Sequence, residues 1–206
     1  MPPFRPAVDG EPRVRGVRTG EQGADTLGHR VAITGTPGTG KSTVARGLPT
    51  PWQAIEVGDL AVALGAGTRR KNEVLVDLQR LARTLRTAHL GERLVLVGHL
   101  AHLLPVREVV VLRCDPRELG HRLASAGRGT GGDRRENAAA EATDVVLLEA
   151  IRPGRRIWEV DTTGRTPAEV TREVAGLLRR RPPSRYGTVD WLADPRVTDY
   201  LLGPAP

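Results

Sequence analysis

The chain has 206 residues, 39% of them hydrophobic, and a formal net charge of +7 at pH 7. This length provides one well-buried core with tails rather than two sizeable domains. A single cysteine excludes an internal disulfide, the apolar runs are far too short to span a membrane, and no N-terminal segment resembles a signal peptide. We therefore expect a cytoplasmic protein without a membrane partner.

The first 29 residues carry no periodic apolar pattern. They are rich in proline, glycine, arginine and acidic residues, a composition that cannot bury enough apolar surface to fold. We expect a disordered N-terminal extension over residues 1–29. A start codon assigned too early would explain the same composition.

The next segment joins an apolar strand, residues 31–34, to the run G-T-P-G-T-G-K-S-T at residues 35–43. The run fits the P-loop pattern G-x-x-x-x-G-K-[ST] in its strand, loop and helix context. Glycines let backbone N–H groups approach a polyphosphate, and the helix N-terminus adds positive charge. The motif predicts a nucleoside triphosphate site, with Lys41 on the terminal phosphates and the Ser42 hydroxyl available to Mg²⁺.

A short strand at residues 54–57 and a helix to about residue 64 follow, and then a basic loop at residues 65–71. Residues 72–88 are predicted to be helical, because apolar side chains recur there at helical spacing. These side chains are Leu75, Leu78, Leu81, Leu85 and Ala88.

The second half of the chain continues the alternation of strands and helices. Apolar runs at residues 94–97, 108–113 and 157–160 are typical of strands covered on both faces. Helices are predicted from Asp115-Pro116, over residues 134–151 and from Thr166 to about Arg180, with a mobile glycine-rich loop at residues 125–133. The pattern predicts an α/β three-layer sandwich around a parallel five-stranded sheet, with ligands at the carboxyl ends of the strands.

Residues 182–206 are punctuated by proline and glycine and are predicted to form a C-terminal tail. Residues 189–192 could pack back on the body, with Trp191 as an anchoring hydrophobe.

A P-loop occurs in kinases, GTPases and other ATPases. Two mobile basic loops favour a small nucleotide kinase, because phosphoryl transfer between two anions requires cations on both sides and exclusion of water.

Further motifs follow the P-loop in a defined order: VGDL at 57–60, GHLAHLL at 98–104, REN at 135–137 with DVVLLEA at 144–150, VDTTG at 160–164, and a closing YG and VDW at 186–187 and 189–191. Together, over about residues 30–192, they resemble the archaeal adenylate kinase family. Its eukaryotic relatives are nuclear adenylate-kinase-like ATPases that assist small ribosomal subunit assembly.

The resemblance implies a P-loop kinase domain over residues 30–181, with a monophosphate-binding region at about 58–88 and a lid at about 125–134. The implied activity is a broad-specificity nucleoside monophosphate kinase that uses ATP and Mg²⁺ and also hydrolyses ATP. A part in small-subunit maturation is implied as well, with a ribosomal protein and ribosomal RNA as partners.

The alternative is a nucleotide-gated assembly ATPase with little kinase activity, which the basic run at residues 179–181 favours. Because 29 of the 31 basic residues are arginine, a solvated arginine-rich exterior explains the charge equally well.

The family's site residues carry over by position. The ATP-binding set is Gly38, Gly40, Lys41, Ser42 and Thr43, the catalytic set is Lys41, His99 and Arg128, and the monophosphate-binding set is Asp59, Arg69, Arg70 and Lys71. Asp59 is equally well explained as a helix N-cap, and the basic residues as a solvated surface. His102 is expected to pack or cap rather than react.

Two positions depart from the family pattern. Val97 stands where the family usually has an acidic residue that orders Mg²⁺, so nucleotide binding with impaired chemistry is a further hypothesis. Asp115 is an alternative source of the missing carboxylate, but a helix cap is its simpler role. In the lid, an ungapped match places Ala126 at the arginine position, whereas a shift of two residues places Arg128 there. We favour Arg128, because loop length is tolerant.

Overall fold

A computed structural model describes residues 18–19, 29–71 and 73–203. The predicted disordered extension therefore lies almost entirely outside the described residues. In chain order, the strands are β1 (Arg18–Thr19), β2 (His29–Thr34), β3 (Gln53–Glu56), β4 (Gly67–Arg70), β5 (Glu73–Val76), β6 (Ala88–His89), β7 (Arg93–Val97), β8 (Glu108–Arg113) and β9 (Arg156–Asp161).

The helices are α1 (Lys41–Arg46), α2 (Val57–Ala63), α3 (Leu78–Thr87), α4 (Pro116–Ser125), α5 (Gly131–Ala142), α6 (Val145–Ala150), α7 (Pro167–Arg180) and α8 (Pro195–Leu202). Short 3₁₀ turns lie at Ala101–Leu103 and Trp191–Ala193. None of the helices in the described part of the chain is long and apolar enough to cross a membrane.

The core is a five-stranded sheet in the order β3-β7-β2-β8-β9, and all of its neighbouring strands are parallel. One face packs on side chains of α2, α3 and α6, such as Leu60, Leu81 and Leu147, and the other on α1 and α7, through residues such as Val44 and Val174. Burial on both faces explains why the central strands are continuous apolar runs. The predicted three-layer sandwich with a parallel five-stranded sheet is confirmed.

The predicted helix over residues 72–88 is wrong in its first part. Residues 73–76 form β5, which pairs antiparallel with β4 and turns the predicted basic loop into a hairpin. The side chain of Asp77 accepts a hydrogen bond from the Arg80 N–H at 2.9 Å, so α3 begins after this cap. Leu75 fits the helical spacing but lies 46% exposed on the hairpin.

The predicted glycine-rich loop and the helix after it also differ from the structure. Helix α5 begins at Gly131 behind a capping box of Thr130 and Asp133, so the loop between α4 and α5 is shorter than the predicted residues 125–133. The single helix predicted over residues 134–151 is divided into α5 and α6 at Asp144, whose φ of 57° is left-handed. The Asp144 carboxylate accepts a hydrogen bond from Arg113 at this break.

The segment after residue 181 packs on the domain over a longer stretch than the sequence indicates. Arg185 pairs with β9, since its N–H donates to the Ile157 carbonyl and its carbonyl accepts from the Glu159 N–H, both at 2.9 Å. Helix α8 contacts α4 and α5 and buries Val197 completely. The indole of Trp191 donates to Glu141 Oε1 at 3.3 Å. This segment is therefore part of the body of the domain.

Candidate functional site

The loop between β2 and α1 has a backbone that requires glycine. Gly35, Gly38 and Gly40 have φ angles of 139°, 96° and 91°. A Cβ atom on Gly35 would lie 2.3 Å from the Leu112 carbonyl oxygen, so no other residue fits there. The loop curls at the carboxyl ends of the strands and leads into the first turn of α1, which suits binding of a polyphosphate.

Three cavities lie around this loop and helix α1. The central cavity, about 370 Å³, is lined by the predicted loop residues together with Glu56, His99, Ala126 and Arg128. The α2-side cavity, about 460 Å³, is lined by Ser42, Glu56, Asp59, Val97 and Arg128 among others. The α7-side cavity, about 270 Å³, is lined by Gly38, Gly40, Thr43, Arg122, Thr162 and Arg165 among others.

Lys41 is held at the centre of this arrangement. Its Nζ donates to the Thr36 carbonyl oxygen at 2.8 Å. Burial lowers its pKa to about 8, because the negative charges of Glu56 and Glu141 only partly offset desolvation and the charge of Arg128 adds to the lowering. An anionic ligand in the central cavity would restore a favourable environment for the ammonium group.

The two histidines after β7 have different environments. His99 lines the central cavity, and partial burial together with the charge of Lys41 lowers its pKa, so the imidazole is neutral at pH 7. His102 is fully buried, with Nδ1 2.9 Å from Thr34 Oγ1 and Nε2 3.0 Å from Glu149 Oε2. The structure confirms that His102 packs, whereas His99 lines the central cavity.

The carboxylate that is absent at Val97 is present on the neighbouring strand. Val97 is 1% exposed and packs in the apolar core. In the parallel pairing of β3 and β7, Glu56 lies opposite Val97, and it lines both the central and the α2-side cavity together with Ser42. The sequence analysis missed Glu56 because only the strand order shows that β3 ends beside β7.

Asp115 does not replace this carboxylate. It is the N-cap of α4, where its Oδ1 accepts hydrogen bonds from the Arg117 N–H at 2.8 Å and from Arg117 Nε at 3.0 Å. The cap role considered for it is confirmed.

The predicted monophosphate-binding residues are only partly brought together. Asp59 lines the α2-side cavity and accepts a hydrogen bond from Arg69 Nη2 at 2.5 Å. Asp59 is not a helix cap, because Glu56 occupies the N-cap position of α2. Arg69 therefore contacts a residue of the cavity wall, Asp59, without lining the cavity itself. Arg70 and Lys71 are exposed on the hairpin and lie outside the three cavities.

The lid contributes Arg128, which lines the central and α2-side cavities, while Ala126 brings only a methyl group to the central one. Arg122, which the sequence pattern does not single out, lines the central and α7-side cavities. Its Nη2 donates to the Thr162 carbonyl oxygen at 2.8 Å and its Nη1 to Thr162 Oγ1 at 3.1 Å, so the guanidinium plane is held in place. Arg122 and Thr162 are further candidates that the sequence analysis missed.

The donor groups suit Mg²⁺ and a triphosphate. The Ser42 hydroxyl and the Glu56 carboxylate line the same two cavities, and hard oxygen donors of this kind are what Mg²⁺ prefers. The curled glycine loop and Lys41 suit the phosphates of ATP.

The chain is similar to several known proteins. The model of the AAA domain family matches residues 31–144. A protein of Thermococcus onnurineus named "Putative adenylate kinase" is 38% identical over 175 residues, covering 84% of this chain and 97% of the relative. A Pyrococcus furiosus protein of the same name is 41% identical over 164 residues, covering 78% and 90%. A thymidylate kinase structure from Candida albicans overlays with a TM-score of 0.46 and 18% identity, covering 75% of this chain and 92% of that one.

Proposed function

The chain belongs to the family of archaeal adenylate kinases, and from this premise we propose that it transfers the γ-phosphoryl group of ATP to a nucleoside monophosphate. The observation that carries the proposal is the position of the P-loop between two further cavities, one on the α2 side and one on the α7 side. A hydrolase requires room for one nucleotide and water, whereas two cavities flanking one phosphate site suit a donor and an acceptor nucleotide.

The α7-side cavity suits the nucleoside of ATP. The Arg122 guanidinium, held in plane by Thr162, offers a flat face for a base. The triphosphate would then extend along Gly38 and Gly40 to Lys41, and Arg128 would cover the terminal phosphate from the lid.

The α2-side cavity suits the monophosphate. An oxygen of its phosphate attacks the γ-phosphorus of ATP, and the bond between that phosphorus and the β,γ-bridging oxygen breaks, which leaves ADP and a nucleoside diphosphate. Lys41 and Arg128 balance the charge that develops on the transferring group. Ser42 and Glu56 would hold Mg²⁺, which neutralises phosphate charge when bound.

ATP hydrolysis is proposed as a second reaction of the same site. His99 is neutral at pH 7 and lines the central cavity, so its imidazole can orient a water molecule when the monophosphate is absent. The part in small-subunit maturation and the ribosomal partners stay predictions from the family resemblance, and the cytoplasmic location stays a prediction from the composition of the chain. A pull-down with ribosomal particles, with and without ATP, tests the ribosomal role, and association that does not depend on nucleotide counts against it.

A panel of nucleoside monophosphates tests the proposal, with phosphoryl transfer and hydrolysis measured separately. We expect at least one monophosphate to accept phosphate in the wild type, and Lys41→Ala to abolish both reactions. His99→Ala should reduce hydrolysis more than transfer. Arg107→Ala, which removes an exposed charge away from the three cavities, is the control. ADP formation that no monophosphate accelerates would overturn the kinase proposal.

A further inference from the structure

A fourth cavity lies at the opposite end of the sheet from the P-loop. This rear cavity, about 500 Å³, is lined by His29 at the start of β2, Arg93 at the start of β7, residues 49–52, and the C-terminal half of α7. It is separate from the three cavities at the carboxyl ends of the strands, and the proposed kinase reaction makes no use of it.

The rear cavity is strongly basic. Arg93, Arg172, Arg179 and Arg181 line it, and the described lining residues include no acidic side chain. Arg181 Nε donates to Glu108 Oε1 at 2.6 Å. None of the other three arginines forms an ion pair with a residue that the structure describes. The charge of Arg172 contributes to lowering the pKa of Glu169, which lies outside the cavity. Uncompensated arginines around one concave site attract an anion.

One wall of the rear cavity is apolar and aromatic. It consists of Pro49, Pro51, Trp52 and Leu178. The rings of Trp52 and His29 meet edge to face, with centroids 5.0 Å apart and an interplanar angle of 62°. His29 is itself held, because its Nε2 lies 2.8 Å from Glu108 Oε2. The indole therefore has one defined ring contact in the wall of the cavity.

We propose that the rear cavity binds a phosphate that carries a planar base. The guanidinium groups of Arg93, Arg172 and Arg179 match a phosphate through paired N–H donors, and the Trp52 indole offers a surface on which a base can stack. A free nucleotide and a single-stranded nucleic acid share this chemistry. The site also gives a role to the basic end of α7 that the phosphoryl-transfer site leaves unused.

The test uses the full chain and a fluorescently labelled single-stranded RNA of about ten nucleotides, within the usual range of such binding sites. Arg93→Gln/Arg179→Gln removes two charges from the cavity. Arg83→Gln/Arg107→Gln removes the same charge from exposed positions outside it. We expect at least ~10-fold weaker binding for the first pair and less than ~2-fold for the second, with phosphoryl transfer unchanged in both.

The salt dependence of binding gives an independent measure. Loss of two phosphate contacts should reduce the slope of log K against log salt by about 1.4 for a single strand, and the control pair should leave the slope unchanged. Equal losses in the two double variants would show diffuse attraction and overturn the site.

Unlabelled nucleoside monophosphate and inorganic phosphate, added as competitors of the RNA, distinguish the sources. If the monophosphate competes with RNA for the wild type but not for Arg93→Gln/Arg179→Gln, a free nucleotide is the ligand of the cavity. If RNA binds and the monophosphate does not compete with it, a nucleic acid is the ligand. Trp52→Leu should weaken the binding of RNA and of the monophosphate, which carry a base, and leave competition by inorganic phosphate unchanged. Equal effects on probes with and without a base would overturn the stacking role of Trp52.

Hydrogen exchange on the wild-type protein keeps the proposal testable if the variants do not fold. Added RNA should protect the amides of Thr50, Trp52 and residues 172–181, since Pro49 and Pro51 carry no N–H. Protection confined to the P-loop region would overturn the proposal.

Discussion

Glu56 and Val97 lie opposite each other at the ends of two neighbouring parallel strands. Val97 ends β7 inside the apolar core, and Glu56 ends β3 beside it and faces the cavities that Ser42 lines. Under the proposed function, Glu56 is therefore the carboxylate available to Mg²⁺, whereas the family resemblance leads one to expect it at residue 97, which is apolar. For the same reason, an acid introduced at residue 97 would be buried next to the charge of Glu56.

Glu56→Gln should lower the kcat of phosphoryl transfer by about 10- to 100-fold, the usual effect of losing a group that places a metal. The affinity for ATP without Mg²⁺ should change little, because the P-loop contacts remain. Steady-state kinetics over a range of Mg²⁺ concentrations measures the effect. Glu92→Gln, an exposed change outside the three cavities, serves as the control, and equal kinetics for the two variants would contradict the role of Glu56.

Lys41 makes ATP binding dependent on pH. Burial lowers its pKa to about 8 in the free protein, and bound phosphates raise that pKa, since they favour the ammonium form. Above pH 8, binding must therefore take up a proton, and the affinity falls as pH rises, by up to about tenfold per pH unit. Calorimetric titration between about pH 7.5 and 9, in buffers of different ionisation enthalpy, measures both effects.

Lys41→Arg is the matched variant for this measurement, because a guanidinium keeps its charge over the whole range. It should bind ATP with a nearly flat pH profile. A flat profile in the wild type as well would contradict the lowered pKa of Lys41.

At the scale of elements, a buried arginine joins strands β8 and β9 to helix α5. Arg113 ends β8, is 2% exposed, and pairs with Glu141 of α5 at 2.7 Å and with Glu159 of β9. Glu141 in turn accepts a hydrogen bond from Thr36 Oγ1 in the P-loop at 2.5 Å. The P-loop, the sheet and the helix after the lid are thus connected through one carboxylate.

Arg113→Met should destabilise the protein by about 3–5 kcal/mol, because it leaves buried carboxylates without their partner. Urea unfolding measures the change. Arg117→Met breaks a partly exposed pair with Asp115 and should cost only about 0–1 kcal/mol. Similar losses of unfolding free energy in the two variants would show that burial of the Arg113 ion pairs contributes little to stability.

The lid offers a test of which residue acts over the phosphates. Arg128→Ala should lower kcat by about 100-fold or more, since it removes a cation aimed at developing charge. Both Ala126 and Arg128 line the central cavity, so Ala126→Arg in the Arg128→Ala background should recover part of the activity. Arg134→Ala is a control within the same segment. In the wild type, Arg134 Nη1 donates to the Gly129 carbonyl at 2.8 Å. Unchanged turnover in Arg128→Ala would contradict the lid role.

At the scale of the whole molecule, the C-terminal segment completes the domain. Arg185 extends the edge of the sheet beside β9, Thr188 donates from its N–H to Glu159 Oε2 at 2.7 Å, and Trp191 reaches Glu141. Helix α8 covers α4 and α5. The carboxylates that hold Arg113 are thus also partners of residues near the end of the chain.

A chain that ends at residue 181 should lose about 3 kcal/mol or more of unfolding free energy, from two backbone hydrogen bonds and the burial of Val197. A chain that ends at residue 203 retains every one of these contacts and is the control. Urea unfolding compares the two. Equal midpoints and slopes would show that the C-terminal segment does not stabilise the domain.

The sequence by itself determined the features that are encoded locally. The P-loop, the five strands and their order along the chain follow from short-range spacing of glycine, lysine and apolar residues. The helical spacing at Leu75 led to a wrong prediction. Over so short a run, a hairpin of two four-residue strands can place apolar residues at the same positions as a 3.6-residue helical repeat.

Only the tertiary structure decided which side chains share a cavity. Glu56 and Val97 are far apart in sequence and become neighbours through the order of the strands, and Arg122 and Thr162 meet because α4 packs beside the end of β9. The rear cavity likewise combines β2, β7 and α7. Local spacing specifies the elements, but it is their packing that sets the distances between charges on which binding and catalysis depend.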